Sequence, residues 1–397
     1  MTDFTATRAF FHLPEGVTYL DGNSLGPMAR GVPERMQAML TEEWAEMLIT
    51  GWNRAGWMAA PSRIGDRIAR LIGAAPGTVV LGDTPSIKVY QALAAALEMR
   101  PKRRVILSDS GNFPSDLYIA EGLIRTLGPD YELRVVAPDA VAEALTEEIA
   151  VLMLTEVDYR TGRRHDMAGL TQAAHAVDAL TVWDLAHSAG ALPVDLSGVG
   201  ADFAVGCTYK YLNSGPGGPA FIYVAPDHAQ TARPTLSGWL GHDAPFAFEP
   251  SYRPAPGIER MRVGTPPVMQ VAALDAALDV WDIADIHDVR ARSIALSERF
   301  IAGVEARCPS LTLASPRDPA RRGSQVGFHY PEGYAVMQAL IARGVIGDFR
   351  APDILRFGIT PLYLGEAETD RAVEVLAEVL DGRLWDREAY RVRARVT

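Results

Sequence analysis

Lysine is almost missing from this chain: three lysines, at 88, 102 and 210, contribute to a combined Lys and Arg count of 38 in 397 residues. Cysteine is scarcer still. Cys207 and Cys308 stand alone, too few for a disulfide framework or a cysteine-built zinc site. No apolar run approaches the ~18 residues that a membrane helix needs. Met1–Phe11 has no basic start followed by an apolar stretch, so no signal peptide is expected and a reducing cytoplasm is the default. Excess positive charge is absent too. A net charge of −11 argues against nucleic acid or an anionic membrane as partner. There is no internal repeat and no low-complexity segment. The remaining composition is that of an ordinary soluble chain, long enough for one large or two average domains.

From about residue 78, short apolar stretches alternate with amphipathic ones. Strands are expected at Thr78–Gly82, Arg104–Ser108, Glu132–Val136, Ile149–Leu154, Leu180–Asp184, Asp202–Gly206 and Pro219–Val224, with helices such as Ser86–Leu97 and Ser115–Leu127 between them. This pattern predicts an α/β fold with a seven-stranded, mostly parallel sheet covered on both faces. Ligands of such sheets bind beyond the carboxyl ends of the strands. The Pro- and Gly-rich stretch Leu240–Pro267 interrupts the alternation and reads as a long functional connection. Helical patterns follow over Val268–Ala284 and His287–Ala306. A smaller α/β unit comes next, with strands near Val326–His329 and Leu355–Gly358. A helix over Pro33–Ile49, with proline in its first turn, is expected to pack with that unit. The resulting division is 1–50 (N-terminal segment), 51–267 (large domain) and 268–397 (small domain).

The rare lysine at 210 ends an apolar strand and precedes the glycine-rich Asn213-Ser214-Gly215-Pro216-Gly217-Gly218. Lys102 lies in a basic solvent turn and Lys88 inside a helical pattern, so Lys210 is the candidate reactive amine. Asp184 ends the strand one crossover upstream. A lysine and an acid so placed suggest pyridoxal phosphate, the lysine forming an imine and the acid keeping the pyridine nitrogen protonated. The plainer alternatives are a solvated lysine and a strand-end acid capping a turn. His187 either lines such a cofactor or is structural. Thr84 and Ser86 open a helix after a strand, as a phosphate site does and as any capped helix does. Phe113, Pro114, Ser115 and Asp116 also open a helix, with an aromatic beside an acid that can stack on a flat ring.

Taken together these pieces resemble the kynureninase family, pyridoxal-phosphate enzymes of the class-V aminotransferase group with the type I fold. The resemblance runs almost end to end. It rests on Tyr19-Leu20-Asp21-Gly22-Asn23-Ser24-Leu25-Gly26-Pro27, Phe113-Pro114-Ser115-Asp116, Asp184-Leu185-Ala186-His187, Tyr209-Lys210-Tyr211-Leu212-Asn213, Gly238-Trp239-Leu240-Gly241-His242 and Arg262-Val263-Gly264-Thr265-Pro266-Pro267. It implies that Lys210 carries the cofactor, that Asp184 and Asp116 meet its ring nitrogen, and that Phe113 stacks on the ring. It implies phosphate contacts from Thr84, Tyr209, Trp239 and Thr265, the last two reaching across from the second subunit of a homodimer. His187 and Thr155 would lie nearby. Pro85 cannot donate an N–H, so Ser86 is expected to take over its phosphate contact. Arg356 would grip the substrate α-carboxylate, with Arg350 as competitor, and Trp52 and Thr265 would shape an aryl pocket. The implied reaction is hydrolysis of kynurenine, and less readily 3-hydroxykynurenine, to anthranilate and alanine. Lys210 would move the Cα proton and Tyr209 would carry another. An aminotransferase shares the same lysine and acid, a cysteine desulfurase would need a mobile nucleophilic cysteine, and a protein that only binds the cofactor would keep the same residues.

Overall fold

The computed structural model describes residues 1–393; 394–397, the end of the expected C-terminal unit, lie outside the described residues. Thirteen strands occur in that range. After the short β1 (Thr18–Tyr19), seven form one sheet: β2 (Val79–Leu81), β3 (Val105–Asp109), β4 (Glu132–Val136), β5 (Ile149–Thr155), β6 (Leu180–Asp184), β7 (Phe203–Cys207) and β8 (Ala220–Val224), in the order β2-β8-β7-β6-β5-β3-β4. Pairings from β4 through β7 are parallel, and β8 alone runs against its two neighbours. Every residue of β3, β5, β6 and β7 is buried, which is why these strands read as unbroken apolar runs rather than as alternation. β4 closes an edge and carries Glu132 and Arg134, charges that discourage further pairing.

The helices Pro85–Met99 and Pro114–Leu127 each begin on a proline, at a position whose N–H has no intrahelical partner to lose. Their buried faces, Val89, Leu93 and Ala96 on one and Ala120 and Leu123 on the other, join Ile106, Val151 and Val182 in a shared core layer. The carboxyl ends of β3, β5, β6 and β7 therefore open on one side of a rigid slab.

A second sheet is antiparallel, in the order β12 (Asp348–Arg350), β13 (Ile354–Gly358), β10 (Gln325–His329), β9 (Thr312–Leu313). Phe300, from the helix Ile286–Arg307, packs edge-on against Phe328 and Phe357 of this sheet. The N-terminal segment is laced into it: β1 pairs with β11 (Val345–Ile346), and the Leu20 carbonyl accepts the Gly358 N–H at 2.6 Å.

The single helix expected over Pro33–Ile49 does not form. An α-helix spans Val32–Ala38, wider turns cover Met39–Trp44, and a 3-10 turn covers Leu48–Thr50. Leu40, Trp44, Leu48 and Ile49 are all exposed, so no packed face holds a long helix together there. Likewise the helix expected to reach 284 is α-helical over Val268–Ala277 and tightens to 3-10 over Leu278–Asp282.

Candidate active site

Strand register brings the first acid into place. Thr155 and Asp184 are direct partners on β5 and β6, and Asp184 faces Val205 on β7. The chain then leaves β7 through Thr208, whose hydroxyl meets Ser214 at 2.8 Å and the Pro219 carbonyl at 2.5 Å. This closes the glycine-rich turn and presents Lys210 from a short curled loop. Gly26 is required by the same loop: a Cβ there would strike the Lys210 carbonyl and the Asn213 amide. The Gly26 N–H donates to the Tyr209 carbonyl at 2.8 Å, so the N-terminal segment clasps the lysine loop directly.

The half-buried Lys210 amine lies 3.0 Å from His187 Nε2. Burial, then the charges of Lys210, Arg356 and Arg350, push the His187 imidazole well below its ordinary pKa. It is neutral and accepts the lysine's hydrogen bond. The amine also lies 6.0 Å from the centre of the Phe113 ring and 5.8 Å from that of Tyr209. Cys207 and then burial raise the Tyr209 pKa, so this phenol keeps its proton. Thr155 spends its hydroxyl on the Val157 carbonyl, at 3.3 Å.

Asp116 and Asp184 are both buried and interact through their side chains. Burial and then the Asp184 charge drive Asp116 far above the usual carboxyl range. Asp184 is raised by burial too, but Lys210 and the Ala186 N–H, at 2.8 Å, pull it back. Of the two, Asp116 is the one pushed further toward its protonated form, and the pair titrates as a unit. Asp116 Oδ2 and His187 Nδ1 are buried with no hydrogen-bond partner among the described residues. A buried carboxyl oxygen left without a partner near an amine and an aromatic ring fits a flat heteroaromatic group with a basic nitrogen. Beyond them the openings of two helices meet: Ser86 and Ser115 touch at 3.0 Å between hydroxyls, with Thr84 at the start of the first helix and Pro114 at that of the second.

Arg356 is buried on β13. It donates from Nε to Asp348 at 2.7 Å and from Nη2 to Ser24 at 2.7 Å, and it also pairs with the second Asp348 oxygen and the Tyr159 carbonyl. Arg350 shares that carboxylate, at 2.6 Å. The two arginines are thus neighbours on a single anion. Asp348, Ser24 and Tyr159 were missed by sequence reasoning. Ser24 lay within the N-terminal motif, and Asp348 alternates with Arg350, but their meeting depends on a cross-strand register that no linear pattern reveals.

Three candidates stand away from this cluster within the chain. Trp52 packs edge-on to Trp57, 5.7 Å between centroids, in a small apolar cluster with Met39 and Ala272. Trp239 is exposed and meets Phe246, and Thr265 is exposed on its loop.

Comparison with known proteins agrees with this architecture. Residues 289–376 match the family model described as kynureninase C-terminal domain. The chain is 52% identical to a kynureninase of Burkholderia pseudomallei (strain 1106a), over 98% of its own length and 95% of that protein's. It is 51% identical to one of Pseudomonas fluorescens over the same shares. Among solved structures, a cysteine desulfurase from Escherichia coli superposes with TM-score 0.79 at 19% identity, covering 96% of this chain and 99% of that one. One from Thermococcus onnurineus NA1 gives 0.80 at 19% identity, covering 95% and 98%. These two likenesses establish the type I fold, and the full-length identities establish more: the chain belongs to the kynureninase family.

Proposed function

We propose that this protein hydrolyses the Cβ–Cγ bond of L-kynurenine, giving anthranilate and L-alanine, with pyridoxal phosphate as cofactor. One observation carries the reading. An amine, a buried carboxyl pair and an arginine fork converge where the sheet opens, in a chain half identical to kynureninases along its length.

Lys210 attaches the cofactor, Asp184 with Asp116 holds its ring nitrogen, and Phe113 covers one face. Thr84, Ser86, Ser115 and Tyr209 receive its phosphate, joined by Trp239 and Thr265 from a second copy in a homodimer. When bound, the cofactor supplies an electron sink for charge developing at the substrate. The chain's own residues do the rest. Arg356 orients the substrate carboxylate, with Asp348 behind it fixing the plane of the guanidinium. Lys210, once free, takes the proton from Cα while neutral His187 steadies its amine. Water supplies the oxygen that joins Cγ to make the anthranilate carboxylate, and Tyr209 retains a proton that it can hand to Cβ, which becomes the alanine methyl. Trp52 and Thr265 bound the aryl pocket, and Thr155 backs Asp184. We read 1–50, 51–267 and 268–397 as the working units. Both cysteines are free and buried, in keeping with a cytoplasmic protein.

The same burial argues against desulfurase chemistry. Both thiols are held above their ordinary pKa, chiefly by burial, which is the opposite of what a mobile sulfur nucleophile needs. Purified protein mixed with L-kynurenine should release fluorescent anthranilate and one equivalent of alanine. Lys210→Ala should abolish both, along with the visible absorption of the bound cofactor. Alanine without anthranilate, or substantial turnover by Lys210→Ala, would overturn the reading.

A further inference from the structure

Lys88 is completely buried, a rare state for a lysine unless every charge and donor is answered. It sits one turn into the helix Pro85–Met99 and answers three groups: Gln91 Oε1 at 2.9 Å, the Met261 carbonyl at 3.0 Å and Asp83 Oδ2 at 3.2 Å. Gln91 reaches the same Met261 carbonyl, at 3.3 Å. Burial lowers the Lys88 pKa, and Asp83 pulls it back up.

These partners belong to two different stretches. Asp83 has a left-handed backbone, with φ 56°, and precedes Thr84 and Ser86. Two bonds to Ala220, each 3.0 Å, stitch one side of this loop to the start of β8, and Lys88 secures the other side. Gly82 sits directly against the lysine, a Cβ built there lying in contact at 3.7 Å from its nitrogen. Met261 ends the 3-10 turn Gly257–Met261 and is followed by Arg262, Val263, Gly264 and Thr265. The Val263 carbonyl accepts the Leu240 N–H at 3.2 Å, and Gly238 is pressed so close to Val263 that a Cβ would strike its backbone. Trp239 and Thr265 therefore both hang on the segment whose end Lys88 holds.

We propose that Lys88 is a positioning residue for the cofactor phosphate: it locks the 82–86 loop, which serves the chain's own site, to the segment that presents Trp239 and Thr265 to the site of the second copy. The inference rests on the phosphate assignment proposed above. One buried amine thereby aligns both phosphate-side arms of the molecule without touching the phosphate.

The test uses holoenzyme of the unaltered chain and of Lys88→Met, stripped and titrated with pyridoxal phosphate and, separately, with pyridoxal, following absorbance and tryptophan fluorescence. Lys88→Met should weaken pyridoxal phosphate binding about tenfold or more, the scale of a lost charge-assisted bond, and leave pyridoxal within about twofold. Equal loss for both ligands, or no loss for either, overturns the proposal. Should Lys88→Met fail to fold, Asp83→Asn frees the loop while leaving Lys88 its other two partners. It should show the same phosphate-selective loss, and unchanged selectivity would overturn the proposal equally. An unaltered chain that takes up neither ligand would instead sink the cofactor assignment itself.

Discussion

At the scale of single residues the site is governed by where protons sit. Asp21 lies half-buried beside Asp348 and Arg356, and burial of its carboxyl together with the Asp348 charge raises its pKa to about 7 from an ordinary 3.8. In the folded chain Asp21 therefore binds a proton that the unfolded chain releases between those two values. Stability falls as pH climbs through that window, and the penalty is complete above the folded value. Asp21→Asn should flatten that decline: its melting temperature should drop less than that of the unaltered chain between about pH 5 and pH 8. Parallel curves would mean that Asp21 is ionised in the folded protein. The Lys210 and Asp184 pairing was legible in the sequence because strand ends announce themselves. The charge state of Asp116 was not, because it depends on a neighbour contributed by a distant strand.

At the scale of elements, the cross-strand pair Asp348 and Arg356 does for the small sheet what Thr155 and Asp184 do for the large one. Direct partners on adjacent strands hold their side chains side by side. On the other flank of Arg356 the partner is Gly327, and its lack of a side chain leaves room for the backbone around Tyr159 and Arg160 to approach. Burial works against the Asp348 charge, but Arg356 and then Arg350 keep its pKa below the usual range. Asp348→Asn should loosen the guanidinium without removing it. KM for kynurenine should rise about tenfold while kcat changes little, since the lost interaction serves binding in ground and transition states alike. A fall in kcat at constant KM would contradict that role. Sequence pattern located the seven strands of the large sheet to within a residue or so, because its buried parallel strands are largely apolar, and it found β10 and β13 of the small sheet but not the short β9 and β12. It failed over 33–49, where helical periodicity was present but only Met36 and Met39 pack against the rest of the chain while Leu40, Trp44, Leu48 and Ile49 stay exposed.

At the scale of the whole molecule, Trp239 and Thr265 are exposed in the single chain, and the homodimer proposed above would give them a place in the partner's site. Mixed dimers can test this. Chains carrying Lys210→Ala and chains carrying Trp239→Ala with Thr265→Ala should each be inactive. Unfolded and refolded together in equal amounts, they should regain about a quarter of normal activity, because half the dimers are mixed and each of those has one intact site. No recovery would place both residues outside the partner's site.

Tyr159 links two of these scales. Its ring stands perpendicular to Phe113, 5.2 Å between centroids, while its carbonyl accepts from Arg356. The hairpin that carries it is sutured to the loop leading into β10, Gly162 accepting from Gly323 and Arg321 from Arg164, each at 2.8 Å. Any rocking of one half against the other must therefore drag this tyrosine along. The Arg356 guanidinium and the Phe113 ring thus lean on a common support, so displacing that one tyrosine would disturb both at once.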